Sequence, residues 1–582
     1  MFLVLASLAS AGVSVWAFSA DNVVLGVAFA LAAIAASAMG ARAELDNASA
    51  PVRFDRTDAL VSCASFVGAL GLRLHRIREI PWGINNDVAW NGLYALRILS
   101  GEEPYTPYTA EAWGKETFFF YLVAAVFRVF GAGPITLVVP SIVAGALTVA
   151  VFYLLSRLLF DRRAAIVAAA LLATLAWHLT LSRTGYRAIL APLFLALTLL
   201  FFFRAVDATT MRARLAWFAA TGMALGVGHH SYFSFRVTTP LLGLLVLREL
   251  ACDRGFLRRC AAGLAVAGAV AALCVLPLAL YAVAHPDMFF ARTGHLWIGN
   301  RLREQGSWAP VWENLRDNLL LFHYHAPVGN FFNLEWPILS RPMGLFVLVG
   351  AGALIRVARR RAPFTVISVG VLAHLPALLS APDATRSLMV TLAVAWTAAA
   401  GVEAVARRFS PAKPIAGTMV AAGLAAALSA AELRFYFHDL GRDPAAQYGY
   451  AGIHTAIAHT VADLALGHLT FVSAGNTFTT TEFLWHDLPP GRLRSGGFEA
   501  PDQIPPDDLR RALEEFLAEA PPAGLGLAFV IDTQPANEPL LARVRETFPE
   551  AVVRAHDDER YGTPAYYSVA VPPAVVAARA GR

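Results

Sequence analysis

Charge is what this chain of 582 residues has least of. Only 15% of its positions are Asp, Glu, Lys or Arg, against 57% hydrophobic ones. Soluble domains carry roughly 25% charged residues, so this balance excludes an ordinary water-soluble protein of this length. Cysteine is also scarce. Cys63, Cys252, Cys260 and Cys274 lie in or beside apolar runs, with neither metal-ligand spacing nor the density of a disulfide scaffold. No basic stretch precedes the apolar residues 2–16, so a retained first helix is expected rather than a cleaved signal peptide. Internal repeats are absent, which weakens a transporter built from inverted halves.

What is present is apolar length. Runs close to the ~20 residues needed to cross a bilayer recur throughout, and the mean hydropathy is +0.54. They place thirteen spans over 1–19, 23–41, 58–76, 135–155, 164–181, 188–204, 215–231, 235–250, 261–284, 343–357, 363–380, 386–406 and 415–431. The net charge of +5 does not point to nucleic acid, because the basic residues sit in short clusters at helix ends. Taking the short run Thr117–Phe130 as a surface-lying or re-entrant helix puts nearly all these clusters on one side. They begin with Arg42, Arg53 and Arg56, continue with Arg157, Arg162 and Arg163, and end with Arg407, Arg408 and Lys413. The other side's short loops hold only Arg183, Arg187, Arg236 and Arg386. Such an excess marks the cytoplasm. The N-terminus is then cytoplasmic, and loops 77–134 and 285–342 and the tail from Glu432 lie outside.

The tail changes character. Leu469-Thr-Phe-Val and Leu525–Ile531 read as strands, and Pro506–Ala518 and Glu538–Phe548 as amphipathic helices. A small α/β domain is expected, without the Gly-rich loop of a phosphate site.

Chemistry concentrates in the first outer loop, which runs from Glu79 through Asn85-Asn-Asp87 and Glu102-Glu103 to Trp113-Gly-Lys-Glu116. Asp87 precedes a helix-like stretch, so it reads either as an N-cap or as a general base at the membrane surface. Lys115 is placed to anchor at the headgroups or to bind a lipid phosphate. Arg183, Arg187 and Arg386 break the charge rule by facing outward, and phosphate or loop carboxylates would give them partners. The pairs His229-His230 and His323-Tyr-His325 lack carboxylate or thiol partners at ligand spacing, so no metal is indicated.

Several motifs, in order, give this chain a family resemblance. They are Pro81–Asp87 with Ala89, Ile98-Leu-Ser-Gly101, Gly114-Lys-Glu116, Leu181-Ser-Arg-Thr-Gly-Tyr-Arg-Ala-Ile-Leu190, Asn318–Gly329, Pro337 with Pro342, and Pro382–Arg386. The region 77–436 resembles the bacterial family 39 glycosyltransferases, related to protein O-mannosyltransferases and the lipid A aminoarabinose transferase.

The resemblance implies a GT-C fold, an all-α polytopic membrane bundle of about 13 transmembrane helices with a small C-terminal α/β extracytoplasmic domain. Two extra N-terminal helices would occupy 1–57, the catalytic bundle 58–431 and the outer domain 432–582. It further implies a bacterial inner-membrane enzyme that transfers a sugar from a polyprenyl-phosphate donor to a protein, glycan or lipid acceptor, with inversion. Asp87 would be the base, with Lys115, Arg183 and Arg386 on the donor phosphate. Glu116 or Glu102 would stand in for a second carboxylate, because relatives often have Asp-Glu where this chain has Asp87-Val88. Asn330 stands where relatives often have an acid. No cofactor is implied. A lipid-linked-sugar flippase or transporter, and a noncatalytic envelope-assembly protein acting through its tail, are the rival readings.

Overall fold

The computed structural model describes residues 2–40, 52–111, 114–325, 337–409, 414–443, 446, 449–473, 478–489, 491–495, 506–519, 521–522, 524–533, 535–558 and 563–580. Trp113, Gly329, Asn330, Arg42 and Lys413 lie outside the described residues. Two compact units are present. One comprises Met1–Ile77, Pro104–Val126 and Val138–Gly441, and the other Arg78–Glu103, Phe127–Leu137 and Arg442–Arg582.

The first unit is a helical bundle. Among the described residues nine helices are long and apolar enough to cross a bilayer, or ten if a bent pair counts as one span. The remaining three of the thirteen apolar runs also fold as helices, Met211–Gly228, Thr238–Cys252 and Arg341–Ile355. Two of these have 15 residues. At 1.5 Å per residue that is about 22 Å, short of a core of about 30 Å. The run Thr117–Phe130 becomes a 13-residue helix, Phe118–Phe130. It buries Phe119, Phe120, Val123 and Phe127 and exposes Val129 and Phe130, an amphipathic division too short to cross.

The bent pair is Arg162–Thr174 and Ala176–Arg183, which meet at 52°. Leu175 leaves the helical region there, with φ −53° and ψ 113°. A break inside a bundle frees backbone N–H groups that lipid cannot satisfy. Glu432 supplies the acceptor. Its carboxylate receives Ala176 N–H at 2.8 Å and Ser340 N–H at 3.2 Å.

Close packing elsewhere depends on small residues. A Cβ on Gly350 would overlap the Thr397 carbonyl oxygen, and one on Gly401 would overlap that of Phe346. The helices Arg341–Ile355 and Val390–Phe409 thus meet backbone to backbone, as small residues permit in membrane bundles. Gly350→Val is expected to destabilise the protein by at least about 1–3 kcal/mol through overpacking. Thermal unfolding of the detergent-purified protein reads this directly, and an unchanged midpoint would contradict the contact.

The second unit contains a five-stranded mixed sheet. Its strands are β3 (His468–Ser473), β4 (Leu493–Ser495), β5 (Gly526–Asp532), β6 (Val552–Asp558) and β7 (Thr563–Val571), in the order β4-β3-β5-β7-β6, whereas β1 (Tyr108–Thr109) and β2 (Lys115–Glu116) form a separate hairpin in the first unit. β3 pairs in parallel with β4 and β5, whereas β7 runs antiparallel to β5 and β6. Alternation along the strands sends residues to two cores. Leu469, Phe471, Phe529 and Ile531 pack under the helices Pro506–Ala518 and Glu538–Thr547, through Leu513, Phe516, Leu540 and Val544. Val472 and Val530 face the other way, onto Ile457 and Val461 of the helix Gly452–Ala465. The expected strands and helices of the tail are all found.

One feature of this unit departs from the sequence-based division. Arg78–Glu103, the first part of the acidic loop, folds with the tail rather than with the bundle. An even number of crossings between these segments, such as the ten expected from hydropathy, is compatible with their folding together.

Candidate active site

In the bundle unit the site begins with a two-strand hairpin. β1 (Tyr108–Thr109) pairs antiparallel with β2 (Lys115–Glu116), opposing Tyr108 to Glu116 and Thr109 to Lys115. Gly114 makes the entry to β2 with φ +84°, and a Cβ there would overlap the Tyr108 hydroxyl. Only glycine fits that position without strain. Thr117 Oγ1 donates to the Thr106 carbonyl at 2.5 Å and closes the hairpin base.

The hairpin drives two charges inward, Lys115 at 2% exposure and Glu116 at 1%. Of the chain's 47 basic residues, only Lys115 and Lys413 are lysine. Glu116 pairs with Arg236 at 3.2 Å and with Arg187 at 3.9 Å. Glu116 thus serves first to balance arginine charge. Burial, then the charge of Glu116, pushes the Tyr108 hydroxyl up to about 12, so it remains a proton donor. It donates to the Phe289 carbonyl at 3.3 Å.

Arg187 is the least satisfied of these groups. Its side chain is fully buried, and none of its three guanidinium nitrogens has a hydrogen-bond partner among the described residues. Beyond the long contact with Glu116, it lies over the ring of Tyr232 at 5.2 Å. A buried guanidinium with five donors and one distant carboxylate is costly to keep charged. An anion with several acceptor oxygens, such as a phosphate, meets that demand.

Arg183 and Arg386 have nearer obligations. Arg183, also fully buried, donates through Nη1 to the carbonyls of Leu72 at 2.8 Å and Arg73 at 2.6 Å. These oxygens belong to the last turn of the helix Arg56–Leu74, where the helix dipole favours a cation. Its guanidinium also stacks on Tyr436 and Phe437 at 5.4 and 5.2 Å. Arg73 is likewise buried and reaches His178 Nδ1 at 2.8 Å. Arg386 donates to Ser380 Oγ at 2.9 Å and pairs with Asp383 at 3.5 Å, which ties down the Ala381–Arg386 turn. The histidines likewise serve the backbone, with His230 on the Cys274 carbonyl and His323 on that of Gly344.

Asp87 belongs to the other unit. The helix Asn86–Ser100 begins one residue before it, and the cap is Asn85, whose side-chain oxygen accepts Asp87 N–H at 2.9 Å. The capping role that sequence allowed to Asp87 therefore falls to its neighbour. Asp87 stands half-buried in the first turn, a favourable place for a carboxylate. Val88 beside it is 2% exposed and packs inward, where a second carboxylate would be stripped of water. Glu102 is exposed beyond the helix, past the left-handed Gly101. The Arg97–Glu103 pair at 3.2 Å leaves it no part in the local ion pairing shown.

Residues 116–286, the segment holding Glu116, Arg183, Arg187 and Arg236, match the family model of the dolichyl-phosphate-mannose-protein mannosyltransferases. By that segment the chain is a glycosyltransferase. Among solved structures, ArnT from Cupriavidus metallidurans in the apo state is similar with a TM-score of 0.50 at 13% identity, over 89% of this chain and 98% of that one. This likeness is one of fold, a mostly helical bundle of the GT-C type. The same ArnT bound to undecaprenyl phosphate gives 0.48 at 14% identity, over 88% and 97% of the two chains. The apo oligosaccharyltransferase of Archaeoglobus fulgidus gives 0.48 at 15%, over 82% and 69%. No curated protein sequence matches the chain.

By sequence Arg183 and Arg187 are both outward arginines, and the family resemblance gives a role to Arg183 alone. The residue type is the same in both. What separates them is the set of acceptors that the fold brings to each.

Proposed function

We propose that this membrane glycosyltransferase moves a sugar from a polyprenyl-phosphate donor to an extracytoplasmic hydroxyl or amine, with inversion at the anomeric carbon. One observation carries the reading: the fully buried Arg187, without a hydrogen-bonded acceptor among the described residues, lies in the segment that matches a lipid-phosphate-sugar transferase family.

The chemistry follows from these groups. As the bond from the anomeric carbon to phosphate breaks, negative charge grows on the phosphate oxygens. Lys115 and Arg187 neutralise it, with Glu116, itself paired to Arg236, beside Arg187. Arg183 and Arg386 fix the backbone around them. The acceptor attacks from the opposite face and gives its proton to Asp87. The leaving lipid phosphate departs as an anion, so no group needs to protonate it.

The test supplies the full-length protein in lipid nanodiscs with a panel of tritium-labelled hexosyl and aminopentosyl undecaprenyl phosphates and an envelope extract as acceptor. The label is expected to move from one lipid to an extract component, with release of undecaprenyl phosphate. Movement of intact donor across liposomes, with no release from any lipid, would instead make the protein a flippase.

A further inference from the structure

We infer that the C-terminal domain is a clamp for the catalytic base, and that Thr480 and Thr455 are positioning residues for Asp87. The inference rests on the proposed role of Asp87 and gives the tail a part in that reaction.

The segment leading to Asp87 has little of its own to hold it. Residues 81–85 contain no helix or strand before the cap at Asn85. The backbone groups of Ile84 are instead satisfied by the tail. Ile84 N–H donates to Thr455 Oγ1 at 3.0 Å, and the Ile84 carbonyl accepts from Thr480 Oγ1 at 2.9 Å. The Thr480 hydroxyl also lies 2.8 Å from Asn86 Oδ1. Asn85, the cap itself, donates through Nδ2 to the Gly449 carbonyl at 2.8 Å. Three consecutive residues, 84 to 86, are thus bonded to the tail immediately before the base.

Packing agrees with the hydrogen bonds. A Cβ on Gly83 would overlap the Tyr450 carbonyl oxygen, and one on Gly92 would overlap the Phe483 ring. The base segment and helix are therefore pressed against the tail at both ends of the turn that carries Asp87. Both threonines are buried, Thr480 fully and Thr455 at 7% exposure. Hydroxyls in such places fix geometry, because the partner groups lose a buried hydrogen-bond partner when the hydroxyl is removed. A catalytic carboxylate misplaced by about 1 Å costs on the order of 100-fold in rate.

The experiment compares Thr480→Val, Thr480→Ser and Thr455→Val with wild type in the full-length, nanodisc-embedded protein. Two readouts are taken: hydrogen–deuterium exchange of the amides over 84–92, and transfer from the labelled undecaprenyl-phosphate sugars. For Thr480→Val, exchange at these amides is expected to rise about tenfold. Turnover should fall by about 10- to 100-fold, with the KM for donor lipid within about twofold, because donor binding does not involve this segment. Thr480→Ser should restore both, and Thr455→Val should repeat the Thr480→Val pattern. In an Asp87→Asn background, Thr480→Val should cost no further turnover.

Unchanged exchange and turnover in a folded Thr480→Val protein would overturn the clamp. So would a Thr480→Ser variant as impaired as the valine one. Retained transfer by Asp87→Asn alone would remove the base assignment instead, and the exchange measurement would still decide the clamp.

Discussion

Replacing Asp87 with asparagine is expected to lower sugar transfer by roughly 10²- to 10⁴-fold, the range supplied by a positioned general base. Affinity for undecaprenyl phosphate should stay within about twofold, because the amide alters the acceptor side of the reaction only. The protein should still fold. Asn85 provides the cap, so the change at Asp87 removes no helix-start hydrogen bond to the Asn85 side chain. Losing a carboxylate from the first turn costs about 0.3–1 kcal/mol through the helix dipole. Steady-state transfer and thermal melting on the same preparation separate the two effects. Wild-type turnover in a folded variant would exclude Asp87 as the base.

Arg187→Met carries the opposite pairing of effects. Charge-assisted hydrogen bonds to a phosphate are worth about 1.5–3 kcal/mol each, so donor affinity should fall at least about 10-fold. Turnover should fall further, because the guanidinium also meets charge that grows as the leaving group departs. Stability should hold or rise. Arg187 is fully buried without a hydrogen-bonded partner among the described residues, its nearest carboxylate is 3.9 Å away, and that carboxylate keeps the closer Arg236 at 3.2 Å when the guanidinium is removed. A higher melting temperature with lost transfer would mark Arg187 as a residue kept for function. A large drop in melting temperature would instead make it a structural ion-pair partner. Arg183→Met is the contrasting case: it leaves the carbonyls of Leu72 and Arg73 without their cation and should destabilise the protein.

Much of the fold was legible because lipid imposes simple rules. Apolar length located the helices, each of the thirteen runs folding as a helix or as the bent pair. In the tail, the period-two pattern of Leu469-Thr-Phe-Val reads directly as one strand with two differently packed faces. Legibility fails where a distant residue decides a local event. Nothing around Leu175 signals a break, since neither proline nor glycine is present there, and the acceptor for Ala176 N–H comes from Glu432. The length test also divides the apolar runs differently from hydropathy alone, because helices such as Thr238–Cys252 end before they reach bilayer thickness.

The candidate site shows the same division. Asp87, Lys115 and Glu116 stood out by residue type at the membrane surface. The rarity of lysine beside so many arginines was a further signal for Lys115. The difference between Arg183 and Arg187, four positions apart in one motif, depends on which carbonyls lie within reach. Thr455 and Thr480 carried no signal at all, because a threonine in an amphipathic tail gives no sign of the backbone it will meet.

The bonds at Ile84 join residues 371 and 396 positions apart. At about 5–20 residues per second, the ribosome delivers the segment bearing Asp87 some tens of seconds before the threonines that hold it. During that interval the later membrane helices are still being made, and the segment at Ile84 lacks the hydroxyls it will bond. If the tail clamps this segment, a polypeptide ending just before the tail is expected to lack the bonds that hold Ile84 and Asn85, and so to transfer sugar poorly. On that reading, ordering of the segment that bears Asp87 waits for synthesis of the last domain.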